Sequence, residues 1–411
     1  MTSSKVRAAM GATSLAAAAV LTACGSSSSP STSSSSAPAA AGGSASGSAS
    51  GSASGASSSA GGGAAASGSP ADFLQKAYAG TLGKPPTTAP AHKSGVSIWL
   101  VSCGQISVSC SNPVASATEA AKTLGWTVNV CDGQLNPSGW ASCIRQATAA
   151  KPTAILPVGL DCPLIQQPLV EANKAGIKTI AAGGLDCADL GGPKVFSGTL
   201  PYLAGVSGSD WWRGLGALRA DYLIGKTNGK AKVLELNFSD AVWGPMQSEG
   251  FEKELAKCSG CSVVKKLDVG NQDVVSGTLR TKFSTALLQN PTVNGVSVPL
   301  DAWFPLGLSQ AVTSSGRAAG LNVVGTFGEA PNIDLMKNNG GETASSAFSA
   351  TQSGWGAVDT TLRVLAGQAP VAQGIGYQVI DRTHNLPASG QSYTYPGLDF
   401  KAAYKKAWGV G

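Results

Sequence analysis

Cysteines are the residues with the most chemistry to offer in this chain. Its 411 residues include nine of them, against only two histidines, His92 and His384. Cys258-Ser259-Gly260-Cys261 is a CxxC pair. A redox pair of this kind needs its first thiol at a helix N-terminus, where the dipole lowers the thiol pKa. Here the pair follows the helical run 247–257 and precedes the strand-like run 262–268, which is the wrong end of a helix. A zinc centre needs two further ligands, and neither histidine stands at a matching spacing. The reading is therefore a structural disulfide across a turn. No Ser–His–Asp set can be assembled from two histidines so placed. Gly225-Lys226-Thr227 ends like a P-loop, but position 220 is Ala and the segment closes a helix instead of following a strand. The chain reads as a non-enzyme without cofactor or metal.

The elements that would position these residues alternate regularly after Gly95. Strand-like runs at 96–102, 127–131, 154–158 and 178–182 are separated by helical runs at 113–124, 138–150 and 164–175. The strands are almost wholly apolar, as in a parallel sheet covered on both faces, and the connections suit right-handed βαβ crossovers. The pattern then starts again, with helices at 210–224, 244–257, 274–289, 304–319, 332–337 and 355–366. Strands at 231–237, 263–268, 295–298, 323–327, 342–348 and 376–381 lie between them. The expected fold class is α/β, with two doubly wound parallel-sheet lobes. Ahead of them, residues 72–84 predict a short helix that the following PPTTAP terminates.

The charge of +6 is modest and its Lys and Arg are scattered, which argues against a nucleic-acid partner. Residues 25–70 are Ser, Gly, Ala, Pro and Thr without a charge. Such a segment buries too little apolar surface to fold and would act as a tether spanning roughly 40 Å. Lys5 and Arg7 precede a short, weakly apolar run at 8–23, an export signal that is too short and dilute for a membrane span. The residues Leu21-Thr22-Ala23-Cys24 resemble the bacterial lipobox. That resemblance implies cleavage before Cys24, diacylation of its thiol and anchoring to the extracytoplasmic face of the membrane. Residues 1–23 would be signal, 24–70 tether and 71–94 a lead-in. Eight cysteines then remain: Cys103, Cys110, Cys131, Cys143, Cys162, Cys187, Cys258 and Cys261. An even number in an exported chain reads as disulfides. Sequence leaves the connectivity open, and the coarse fold favours the neighbours 103–110, 131–143, 162–187 and 258–261.

Several segments in their order resemble the type I periplasmic binding proteins, the ribose/galactose-binding group that serves ABC importers. They are CDGQLNP at 131–137, KPTAILPVGLD at 151–161, EANKAGIKTI at 171–180, GSD at 208–210 and ADYLIGK at 220–226. AKVLEL at 231–236, SEGFEKEL at 248–255, NGVSVPLDAWFPLG at 294–307 and LNVVGTFG at 321–328 continue the series. The resemblance covers about 95–385. It implies three hinge crossovers between lobes, with the first lobe at 95–206 plus 350–373 and the second at 207–349 plus 374–390. Residues 391–411 are left as a C-terminal extension. It also implies a monomer that closes on a ligand between its lobes and meets ABC permease subunits. Where the sugar binders carry an Asp-Arg pair after the fourth strand, this chain has Gly183-Gly184, with Asp186 further on. The family's second-lobe Arg, Asn and Gln fall near Pro245, at Leu300 and near Phe348. Its aromatics after the first strand give way to SCGQISVSC, which offers Gln105 and Ser107.

The strand-end loops hold Asp132, Asp161, Asp186, Asp189, Asp240, Asp273, Asp301 and Glu329, and no Lys or Arg. A buried anion would want a positive partner or a helix N-terminus, so the cleft is expected to suit a neutral polyol or a cation. Asp240 and Asp273 are expected to cap helices. Phe238, Trp243, Trp303, Phe304, Phe327 and Phe348 cluster near second-lobe loops, and aromatic faces pack on sugar C–H surfaces and on cations. The expected binding set is Gln105, Ser107, Asp161, Asp186, Trp243, Asp301, Trp303, Phe327, Glu329 and Phe348. The expected function is lipid-anchored capture of a small sugar-like, neutral or cationic solute for an ABC permease. The alternative is a ligand-sensing module that presents its closed form to a membrane receptor. Six of the eight body cysteines sit at first-lobe strand ends, where bridges would stiffen the rim of the cleft.

Overall fold

A computed structural model describes residues 68–411, which fall within one compact unit. The export signal at 1–23, Cys24 and the tether to residue 67 lie outside the described residues. Among those described, no helix is long and apolar enough to cross a membrane.

The first sheet has five parallel strands in the order β2-β1-β3-β4-β5. They are β1 (Ser97–Ser102), β2 (Thr127–Asp132), β3 (Ala154–Val158), β4 (Lys178–Ala181) and the two-residue β5 (Gly198–Thr199). Central β3, AILPV, is buried at every position, as a strand covered on both faces must be, whereas edge strand β2 is half open to solvent. The crossovers are α2 (Val108–Thr123), α3 (Pro137–Ala150) and α4 (Cys162–Lys174). Local sequence starts α3: the Asn136 side chain accepts the Gly139 N–H at 2.7 Å, and Pro137 follows with its φ already set.

The second sheet has six strands in the order β11-β10-β9-β8-β6-β7. They are β6 (Lys232–Phe238), β7 (Ser262–Val269), β8 (Gly295–Ser297), β9 (Asn322–Phe327), β10 (Ala344–Phe348) and β11 (Tyr377–Asp381). Only β11 runs antiparallel, against β10. The two lobes are thus the doubly wound α/β pair that the pattern predicts. Helices α5 (Gly208–Lys226) and α6 (Trp243–Leu255) pack on each other beside this sheet.

Three expectations differ in detail. The run 274–289 splits into α7 (Asn271–Val275) and α8 (Leu279–Gln289), because Gly277 takes φ +75° between them. The run 304–319, which follows a 3₁₀ turn at Asp301–Trp303, is a wide turn at Phe304–Leu308 and then α9 (Ser309–Thr313). Pro305 and Gly307, the latter at φ +133°, break it. Helix α2 begins at Val108 instead of Pro113, so the proline sits inside it.

After β9 comes α10 (Ala330–Lys337), and α11 (Ala350–Leu365) returns the chain to the first lobe, where it packs on α2. The crossings therefore follow β5, β10 and α11. Two more come from the ends. Helix α1 (Pro70–Ala79) packs on α5 and β11 in the second lobe before the chain enters β1. The C-terminal extension ends in α12 (Phe400–Trp408), a helix the alternation did not predict, seated on α11 of the first lobe. Several crossings are bonded to one another. Gln373 N–H donates to the Pro201 carbonyl and Ile375 N–H to that of Tyr202, each at 2.9 Å, while Thr81 and Tyr377 exchange two bonds of 2.8 Å. Gly374, at φ +69°, sits so close to Lys84 that a Cβ would lie 2.1 Å from its carbonyl oxygen.

Helix α12 is held by aromatic packing and by a buried polar cluster. Trp408 stacks on Trp355 with centroids 5.2 Å apart, and its Nε1–H donates to Asp359 at 2.9 Å. Asp359 also pairs with Arg363 and accepts from Gln373, which in turn accepts the Tyr404 hydroxyl. Trp408→Ala would empty a packed site and strip a donor from a buried carboxylate. Its expected cost is about 3–5 kcal/mol, read as a lower urea midpoint with little change in slope. An unchanged midpoint would mean that the extension is a passive tail.

Candidate functional site

Between the lobes lies a cavity of about 90 Å³. It is lined from the carboxyl ends of strands in both sheets, where open α/β sheets hold their ligands. The first lobe contributes Ser107 and Ser109 after β1, Leu160 and Asp161 after β3, Gly183 after β4 and Tyr202 after β5. The second contributes Phe238, Asp240 and Trp243 around the end of β6, Asn271 after β7 and Phe327 at the end of β9. Trp212 from the start of α5 and Phe348 at the end of β10 complete it.

Most of the wall is aromatic. Trp212 and Trp243 stack at 4.7 Å with planes 16° apart. Phe327 and Phe348 lie 4.6 Å apart, Phe238 meets Trp243 edge-on at 5.3 Å, and Tyr202 reaches Trp212 at 6.3 Å. Phe327 has φ +114°, a conformation that a bulky side chain adopts only under constraint. The constraint comes from Gly328, whose N–H donates to Asp301 at 2.6 Å and whose carbonyl accepts from Tyr393 N–H at 2.7 Å. No side chain fits at Gly328, since a Cβ would lie 2.6 Å from that of Ala347. Asp301 thus acts from behind the wall, fixing the turn that presents Phe327.

Asp161 is fully buried at the first position ahead of α4. Its Oδ1 accepts the Leu185 N–H of its own lobe and its Oδ2 the Val242 N–H of the second lobe, each at 3.0 Å. One carboxylate therefore joins the two lobes at the cavity. Burial pushes its pKa up to about 6, and the backbone donors hold it from rising further. A second link lies outside the cavity lining. Glu329 accepts from Asn112 of α2 and from Ser392 of the C-terminal extension, and burial raises its pKa to about 7.

Of the ten residues expected from sequence, the structure brings five to the cavity: Ser107, Asp161, Trp243, Phe327 and Phe348. The others lie elsewhere. Gln105 is exposed, with its N–H on Asp132. Asp186 caps the turn at Cys187–Leu190 and accepts the N–H groups of Val195 and Phe196. Asp301 and Glu329 hold their loops as described. Trp303 packs edge-on behind Phe238 at 5.5 Å. Asp240 accepts the Asn271 N–H at the start of α7 while facing the cavity, and Asp273 completes the cap of the same helix. Sequence reasoning missed Trp212, Tyr202, Ser109 and Asn271. The paired Trp211-Trp212 at a helix start was the available signal. Trp212 Nε1 and Ser109 Oγ are buried at this site without a hydrogen-bond partner.

Disulfides join Cys103–Cys110, Cys131–Cys143, Cys162–Cys187 and Cys258–Cys261. The first three tie the carboxyl ends of β1, β2 and β4 to neighbouring helices on the first-lobe side of the cavity. The fourth closes the turn between α6 and β7 in the second lobe.

A family model described as "Periplasmic binding protein domain" matches residues 110–369. No curated protein sequence matches. Among solved structures, a glucose-galactose binding protein from Geobacillus stearothermophilus superposes with a TM-score of 0.61 at 19% identity, over 72% of this chain and 100% of its own. An ABC transporter solute-binding protein from Mycobacterium smegmatis with bound glycerol gives 0.60 at 14% identity, over 73% and 99%. The binding component of an arabinose ABC transporter from Shewanella sp. ANA-3 gives 0.58 at 18% identity, over 76% and 95%.

The buried carboxylates set a pH dependence. Burial raises Asp161, Glu329 and the neighbouring Asp301 and Glu342 above the ordinary carboxylate range. The folded state then keeps protons that the unfolded chain releases above about pH 4. Stability must fall as pH rises through the window up to the folded pKa values. For Asp161 and Glu329 alone the change is on the order of 3 kcal/mol each. The ligand-free protein should therefore melt at a lower temperature at pH 8 than at pH 5. A melting point that climbs over this range would rule out buried, protonated acids at the interface.

Proposed function

Because the chain belongs to the periplasmic binding protein domain family, we propose that it is the solute-binding component of an ABC importer, held outside the cell membrane by a lipid on Cys24. The family is one of binding proteins, not enzymes. The observation that carries the reading is Asp161, which accepts an N–H from each lobe beside a cavity that both lobes line. A solute entering between open lobes would find both halves of its site only on closure, and closure would give a permease one shape to recognise. The glucose-galactose, glycerol and arabinose named for the similar structures support a solute of monosaccharide size or smaller. The lining has two carboxylates and no Lys, Arg or His, which supports a neutral or cationic solute over an anionic one.

A thermal-shift screen with the full-length Cys24→Ser protein tests the binding claim against sugars, polyols, amino acids and polyamines. A ligand present at a hundred times its Kd adds about 2.7 kcal/mol, enough to raise the midpoint by several degrees. A shift with anionic solutes alone would contradict the charge argument. In cells, the wild-type protein should incorporate labelled fatty acid and Cys24→Ser should not, because the acylated thiol would be lost. Equal labelling of the two would refute the anchor.

A further inference from the structure

Building on the solute-binding reading above, we infer that the cleft takes a compact organic cation, with its charge against the Asp161 carboxylate and its apolar surface against Trp212, Trp243, Phe327 and Phe348. Four features of the site carry this.

The first is charge. Asp161 is fully buried, and among the described residues it forms no salt bridge; its partners are two backbone N–H groups. A buried carboxylate without a counter-ion is costly unless something positive comes to it. The cavity lining offers no Lys, Arg or His, and adds Asp240 on the opposite lobe. Burial raises the Asp161 pKa to about 6, and a cation beside it would reverse that shift.

Second, the carboxylate has capacity to spare. Each oxygen accepts one N–H, and even with the Trp243 N–H close enough to favour the charged form, a lone pair remains for a donor or a cation.

The third feature is the wall. Stacked, tilted and edge-on rings line the same cavity as the carboxylate, with Trp212, Trp243, Phe327 and Phe348 all within 6.4 Å of at least one other ring of the set. Electron-rich ring faces attract a desolvated cation, Trp most strongly.

Fourth, most of the lining is apolar, and several of its polar groups are already engaged. Tyr202 already donates to the Gly183 carbonyl, Ser353 to that of Ser349, and Asp240 accepts from Asn271. Only Trp212 Nε1 and Ser109 Oγ are both buried there and unpartnered. A monosaccharide would bring several hydroxyls, and each one left unpaired loses its hydration without return. A cation with one polar group could place its charge on the open Asp161 lone pairs and its polar group on Trp212 Nε1 or Ser109 Oγ.

Choline and 3,3-dimethylbutan-1-ol, which share a shape and differ in charge, are the discriminating probes. The full-length Cys24→Ser protein would be titrated with each, with tetramethylammonium, and with glucose, arabinose and glycerol, by calorimetry and by intrinsic tryptophan fluorescence. Choline should bind roughly tenfold or more tighter than the neutral isostere. Asp161→Asn should collapse that ratio toward one. If that variant does not fold, Trp243→Leu provides the second reading and should weaken choline more than the isostere. Equal affinity for choline and the isostere overturns the inference. So does silence to both choline and tetramethylammonium, whatever the sugars do. Binding of glucose, arabinose or glycerol in that case leaves the solute-binding reading standing. Silence to every probe counts against both.

Discussion

The contact between the lobes at the cavity depends on a carboxylate with one oxygen in each lobe's hydrogen-bonding reach. Asp161 could serve there only because of where the fold puts it. It stands at the carboxyl end of the central, fully buried strand β3, one residue before α4. Val242 N–H comes from just ahead of α6, at the corresponding end of β6 in the other sheet. Parallel strands thus bring two loop clusters of the same kind face to face. Asp161 is fully buried at this meeting point, and away from water a charge-assisted hydrogen bond is both stronger and more costly to break.

The rest of the cleft is arranged around keeping that geometry. Three first-lobe disulfides pin the ends of strands β1, β2 and β4. In the second lobe, Asp301 does comparable work without covalent chemistry, holding Gly328 and through it the strained Phe327. Glu329, Asn112 and Ser392 form a second bridge, which draws in a segment of the C-terminal extension. The acids of the strand-end loops consequently divide by task. Asp161 faces the cavity between the lobes, Asp301 and Glu329 hold loops, and Asp186 and Asp273 cap short helices.

That division explains what was legible in the sequence. The two-lobe architecture could be read because most of its strands, the edge strands β2 and β7 apart, are buried on both faces and stand out as apolar runs between amphipathic ones. The breaks in 274–289 and 304–319 were not, since Gly277 and Gly307 count only as weak helix residues until their positive φ is known. Helix α12 was hidden because its partner, Trp355, stands some fifty residues earlier. In the site, residue type alone marked Asp161 and Asp186 equally. Only the direction of neighbouring N–H groups separates a lobe bridge from a helix cap. Trp212 was missed because it belongs to a helix, and helical aromatics are usually core. Its role follows from the helix being the one that leads out of the first crossing.

The crossings carry a mechanical consequence. Segments around Thr81, Pro201–Tyr202 and Gln373–Tyr377 are hydrogen-bonded side by side, and Gly374 is pressed against Lys84 with no room for a side chain. Adjacent strips fastened in this way resemble the knuckles of a door hinge threaded on one pin. Turning about the pin leaves the strips in register, whereas sliding one lobe past the other would tear their bonds together. Any relative motion of the lobes would thereby be confined to a swing about a fixed line, one that could bring the Val242 N–H back to the same carboxylate oxygen.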